Sequence, residues 1–154
     1  MARRDLLKIA EWLSSSKDEY FNKGVRTVKE VLPPAIRSHD RATAVALTDE
    51  LVGTFWYWDK RVIHVKDWNR VQGDLTAFVA MREKARGRRD TVRGLIRDVR
   101  DVARRLRETQ GGKRSEGLSH HILQTVEHYE TQWELIASRR IADDEAAAEI
   151  ARSP

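Results

Sequence analysis

Residues 82–107 read REKARGRRDTVRGLIRDVRDVARRLR, and the spacing inside this stretch decides the fold class. Val92, Leu95, Ile96, Val99, Val102, Ala103 and Leu106 return every three or four residues, as on a helix with one buried face. The arginines keep the same period on another side. Arg82, Arg86, Arg89, Arg93, Arg97, Arg100, Arg104 and Arg107 are separated by 4, 3, 4, 4, 3, 4 and 3. At ~100° per residue they fall within an arc of about 80°, centred about 115° from the apolar set, and the row is about 37 Å long.

The same period extends in both directions. Leu6, Leu7, Ala10 and Leu13, with Ile9 and Trp12 beside them, make a first helix that Ser14-Ser15-Ser16 ends. Ser16 and Glu19 fit a capping box for a second helix, whose buried face is Tyr20, Phe21, Val25, Val28 and Val31. Pro33-Pro34 is expected to stop it, because neither ring supplies an amide hydrogen. A third helix is expected from about Ile36 to His64, through Val45, Leu47, Leu51, Val52, Phe55, Trp56, Trp58, Val62 and Ile63, with a bend at Gly53. A fourth begins near Asp67 or Asn69 with Trp68, Val71, Leu75, Phe78 and Val79, and runs into the basic helix, which Gly111-Gly112 ends. If it were one helix, those apolar residues would share the arginine face. Gly87 therefore offers a break, leaving the row secure from Arg89 to Arg107 and Arg82 and Arg86 free to point elsewhere.

Gln110 to Gly117 reads as an exposed loop. Ser119 is the expected cap of a last helix with the stripe Ile122, Val126, Tyr129, Trp133 and Ile136. The acidic stretch Asp143–Ile150 is either a short helix or a frayed end. Strand-like alternation, internal repeats and linkers are not evident. The expectation is an all-α fold: one domain over residues 1–154, a single irregular bundle of five or six helices.

Composition narrows the function. The chain has 154 residues, 34% of them charged and 40% apolar, as in a protein with a solvated surface and one core. It has no Cys, which excludes disulfides, thiolate metal sites and cysteine nucleophiles. No apolar run approaches the ~20 residues of a spanning helix, and Lys8 and Glu11 interrupt the N-terminal region, so neither a membrane span nor a signal peptide is expected. A cytoplasmic location follows as an expectation. No P-loop, dinucleotide fingerprint or nucleophilic triad is visible, and neither a cofactor nor an enzymatic reaction is expected.

The net charge is +5, from 29 basic and 24 acidic residues, and 21 of the basic residues are Arg. Residues 82–107 hold 11 basic and four acidic residues, a local +7, so the remaining chain carries −2. A protein needing only solubility has no reason to segregate charge in this way. A guanidinium row suits a phosphate backbone, offering planar paired donors and permanent charge, without sequence information. The eight arginines are therefore the candidate nucleic-acid-binding residues, for RNA or DNA, single or double stranded. The competing reading is a solvated face laced by intrahelical pairs, Arg86–Asp90, Arg97–Asp101, Glu83–Arg86 and Asp90–Arg93.

Phe55-Trp56-Tyr57-Trp58 would point aromatics around nearly a whole helix, so at least one is expected to face a partner, a subunit or a base if the core takes the others. His120, His121 and His128 share a helix with Glu116 and Glu127 nearby, but no HExxH or paired ExxH pattern accompanies them and no metal site is expected. Arg114 and His120 are spaced as in the Arg-x4-6-His signature of the helical HEPN ribonucleases. Ser115 departs from that signature, in which Asn, His or Asp follows the Arg.

In size, helical class and linear basic face the chain resembles the small subunit of class 1 CRISPR effector complexes. The resemblance covers the whole chain and no motif defines it, so it assigns no residue roles. It implies a compact, non-catalytic helical protein that oligomerises along a backbone filament and holds a guide–target duplex or a displaced strand on its basic surface. Expected partners are accordingly nucleic acid and other protein subunits, copies of this chain among them; the acidic Asp143–Glu149 end complements the basic segment. Two other classes remain: a helical assembly protein, such as a phage-particle component, pairing its arginines with acidic protein surfaces, and a HEPN-like ribonuclease using Arg114 and His120.

Overall fold

In the computed structural model the described residues are 2–62, 74–110 and 117–152. They form five helices: α1 (Arg3–Leu13), α2 (Asp18–Arg37), α3 (Arg41–Asp59), α4 (Leu75–Gln110) and α5 (Leu118–Arg152). The protein is an all-α bundle, with no strand among the described residues. No helix of these residues is long and apolar enough to cross a membrane.

α3 is the central rod, packed on each of the other four helices. That position follows from its sequence, which buries residues on several sides: Ala44, Leu47, Leu51, Phe55 and Trp58, with Thr43, Thr48 and Thr54 between them. Thr48 keeps its hydroxyl satisfied by donating to the Ala44 carbonyl at 2.7 Å. One contiguous core joins Ile9 and Leu13 of α1, Val28, Leu32 and Ile36 of α2, Val92, Ile96 and Ala103 of α4, and Ile122, Val126 and Tyr129 of α5. Gly24 lets α1 and α2 close up, because a Cβ there would lie 3.1 Å from both Trp12 and Leu13.

Local punctuation differs from the sequence expectations in several places. The Ser16–Glu19 capping box does not form: Lys17 is the N-cap residue of α2, with no side-chain cap, and its amide donates to the Ser15 hydroxyl at 3.1 Å. Pro33 and Pro34 do not stop α2, which continues to Arg37. The carbonyls they leave without partners belong to Lys29 and Glu30, two exposed residues, so water can take both. The stop comes at His39, in the left-handed region at φ 59°, with the Asp40 amide donating to Ala35 at 2.9 Å and the His39 amide to Ile36 at 3.2 Å. The expected third helix from Ile36 is therefore two elements. α3 starts afresh at Arg41, where the Asp40 carboxylate accepts from the Thr43 amide at 3.3 Å; the side-chain and backbone hydrogen bonds from Thr43 hold that carboxyl below its ordinary value.

α3 runs without interruption through Gly53, and α4 through Gly87. The proposed break at Gly87 is absent because a single α4 of 36 residues already separates the two faces: Phe78 and Ala85 turn to the core side and Leu75 is 64% exposed. The Asp74 carboxylate caps α4 by accepting from the Ala77 amide at 3.0 Å. The starts proposed at Asp67 or Asn69, the residues Ile63, His64, Trp68 and Val71, and the Gly111-Gly112 stop lie outside the described residues. Ser119 is not a cap. It sits inside α5, 1% exposed, with its hydroxyl lacking a hydrogen-bond partner. The acidic end belongs to α5, which continues to Arg152.

The four consecutive aromatics all serve the interior. Phe55 and Trp58 are buried, while Trp56 and Tyr57 pack against the core half-covered. Phe55 meets Tyr129 and Trp133 edge-on at 4.8 and 5.2 Å, and Trp58 donates its indole N–H to the Leu13 carbonyl at 2.8 Å.

Candidate nucleic-acid interface

α4 and α5 run antiparallel, with Arg100 against Glu130 fixing their register at 3.0 Å. A groove follows the seam between them. Its walls hold nine arginines, all eight of the sequence row plus Arg140, and three glutamates, Glu127, Glu130 and Glu134. Arg82 and Arg86 thus stay with the row, because α4 is unbroken.

The groove divides into two chemically different halves. At one end Asp59, the last residue of α3, is 2% exposed, an unfavourable position for a carboxylate at a helix C-terminus. Two guanidiniums compensate it. Arg140 binds both carboxylate oxygens at 2.8 and 2.9 Å, and Arg89 donates to Oδ1 at 3.2 Å. Both guanidiniums lie over the Trp133 ring, at 4.8 Å for Arg89 and 5.7 Å for Arg140. Arg89 also meets Asp90 at 3.2 Å. These groups are committed to holding α3, α4 and α5 together. Arg86 is half exposed with Glu83 at 3.9 Å, and Arg82 is half-buried with an unpartnered Nε.

The other half is open. Arg100 is held by Glu130 and lies 3.7 Å from Asp101. Arg93, Arg97, Arg104 and Arg107 carry no ion pair or hydrogen bond among the described residues; Arg93 is half-buried and the other three are exposed. Of the intrahelical pairs expected from spacing, Glu83–Arg86 forms; Asp90 and Asp101 instead meet their immediate neighbours Arg89 and Arg100. Beneath this half lies Tyr129, 1% exposed, whose phenol is pushed up to about 12 by burial, with Arg93, Arg97 and Arg89 pulling against that shift and Glu130 adding to it.

One arginine of the segment outside the row is structural. Arg88 is 4% exposed and spans the rings of Phe21 and Trp58 at 4.7 and 4.9 Å. It donates to the carbonyls of Ser15 and Ser16 and to Asp18 at 2.6 Å, clamping the α1–α2 connection. Its place was readable, since Arg88 falls among Ala85, Val92 and Val99 on the apolar face. Arg140 was equally readable: it continues the α5 stripe Ile122, Val126, Tyr129, Trp133, Ile136 by four residues. Glu127, Glu130 and Glu134 share a helical spacing of three and four, a signal that places them on one side of α5.

The histidines do not converge: His120 and His121 are half-buried at the start of α5, and His128 is exposed. Among the described residues no three His, Asp or Glu side chains are grouped to hold a metal. Arg114 lies outside the described residues. Fold and groove together define a helical bundle with an arginine-walled seam. No known family model, curated protein or solved structure shows a significant match to this chain.

Proposed function

We propose that this protein is a non-catalytic, nucleic-acid-binding helical subunit that works within a larger ribonucleoprotein. The observation that carries the reading is the row Arg93, Arg97, Arg104 and Arg107, four guanidiniums in the open half of the groove with no carboxylate paired to them among the described residues. Permanent positive charge held in no ion pair among the described residues has a phosphate backbone as its natural complement. The likeness in size, class and charge layout to the small subunit of class 1 CRISPR effector complexes supports the same reading and suggests that type of assembly. The contact is to phosphates and is not sequence-specific.

Affinity for a single strand measured across salt tests it. Four neutralised phosphates give a log–log slope of about −2.8, at ~0.7 per phosphate. A slope near zero, or no binding at low salt, refutes the proposal.

A second reading has its own observation. Beyond Arg140 the described residues of α5 are exposed, including Ile141 at 59% and Ile150 at 75%, among the acidic side chains Asp143, Glu145 and Glu149. A helix end of that kind suits protein contact, as in a structural assembly protein that pairs arginines with acidic surfaces. Concentration-dependent oligomers, with no salt-dependent binding of nucleic acid, distinguish it from the first reading.

A further inference from the structure

A groove built only to attract phosphate has no use for a line of glutamates along its other wall. The antiparallel register set by Arg100 and Glu130 places Glu134 across from Arg97 and Glu127 across from Arg104. Each carboxylate is exposed, and neither Glu127 nor Glu134 has an ion pair or hydrogen bond among the described residues. The open half of the groove thus presents two units, each a guanidinium on the α4 wall and a carboxylate on the α5 wall. They repeat after seven residues, about 10 Å at ~1.5 Å per residue.

A ligand that satisfies both walls needs anionic acceptors on one edge and neutral hydrogen-bond donors on the other. A duplex meets this poorly, because it carries phosphates on both flanks and would bring one strand's phosphates against the carboxylates. A single strand turns its phosphates to α4 and its sugars to α5. The ribose 2′-hydroxyl is then the group that can donate to Glu127 and Glu134, and DNA lacks it.

We infer that the groove selects single-stranded RNA, with Arg97 and Arg104 holding phosphates and Glu127 and Glu134 accepting hydrogen bonds from 2′-hydroxyls. This rests on the nucleic-acid reading above and adds the substrate class. The carboxylates reduce the general attraction of the groove for phosphate and are specificity-determining for the sugar.

The test compares labelled oligouridylate with oligodeoxyuridylate of equal length, identical except for the 2′-hydroxyl, binding to the full chain by fluorescence anisotropy. The expected result is about tenfold tighter binding of the ribo strand, each of the two solvent-exposed hydrogen bonds contributing about threefold. In the Glu127→Ala/Glu134→Ala variant the preference should vanish while the deoxy strand binds more tightly than to the parent, two repelling charges having gone. Equal affinity of the parent for both strands overturns the inference and leaves the nucleic-acid reading standing. A ribo preference that survives in the variant overturns the assignment to these glutamates. Failure of both strands to bind refutes the reading on which the inference rests.

Discussion

Replacing Asp59 with Ala should unfold the protein at a markedly lower temperature, and the size of the effect follows from the groups left behind. The parent carboxylate is 2% exposed and takes three hydrogen bonds of 2.8–3.2 Å from Arg140 and Arg89. Without it, Arg89, only 11% exposed on the face of Trp133, keeps a desolvated charge whose remaining carboxylate is the half-exposed Asp90. Arg140, at 26% exposure, can turn partly toward water. Removing one member of a buried ion pair costs about 3–5 kcal/mol, and the freedom of Arg140 places the expected loss near the lower end. At roughly 2–4 °C per kcal/mol for a chain of this size, the midpoint should fall by about 6–12 °C. Scanning calorimetry reads this directly, and Asp59→Asn, which keeps hydrogen-bond acceptor capacity but loses the charge, should fall in between. A shift smaller than about 2 °C for Asp59→Ala would show that the cluster adds little net stability and would refute the reasoning.

Arg88→Lys should destabilise by about 2–3 kcal/mol in a denaturant titration, since an ammonium cannot span Ser15, Ser16 and Asp18 while stacked between Phe21 and Trp58; an unchanged midpoint contradicts the clamp. Gly94→Ala should stabilise by about 1 kcal/mol, because the helix interior gains a better former and a Cβ there meets nothing within 4 Å; a lower midpoint is the opposing result. Tyr129 titrates near 12 in the folded chain against 10.0 ordinarily, so between those values the unfolded state gives up its proton first and stability falls as pH rises. The full loss amounts to about 3 kcal/mol at ~1.4 kcal/mol per pH unit, and Tyr129→Phe, compared with the parent across that window, should lack this component of the alkaline decline.

Much of the bundle was legible in the sequence because its helices are amphipathic at a regular period. The faces of α4 and α5 were readable from Val92 to Leu106 and from Ile122 to Trp133, and the aromatic run proved to belong mainly to the core. Helix ends were less legible. Pro33-Pro34 breaks a helix only where the lost amides matter, and here the affected carbonyls face water, while His39 makes the stop in a conformation usually supplied by glycine. The arginine row was legible as a row, but its division was not. Spacing along α4 cannot show that Asp59 of α3 engages Arg89 together with Arg140 of α5, or that Glu130 holds Arg100 while Arg93 and Arg97 keep no partner among the described residues. Those are tertiary facts, and they leave five of the eight candidate residues without a carboxylate partner among the described residues, Arg82 in the first half of the groove and Arg93, Arg97, Arg104 and Arg107 in the open half.

The most direct measurement of the central claim is the affinity of a single-stranded oligonucleotide for the Arg93/Arg97/Arg104/Arg107→Ala variant beside that for the parent at low salt. The account predicts that binding is lost and the salt slope approaches zero, with the thermal midpoint nearly unchanged because none of the four side chains holds the fold together. Retention of the parent affinity and slope by a folded variant would contradict it.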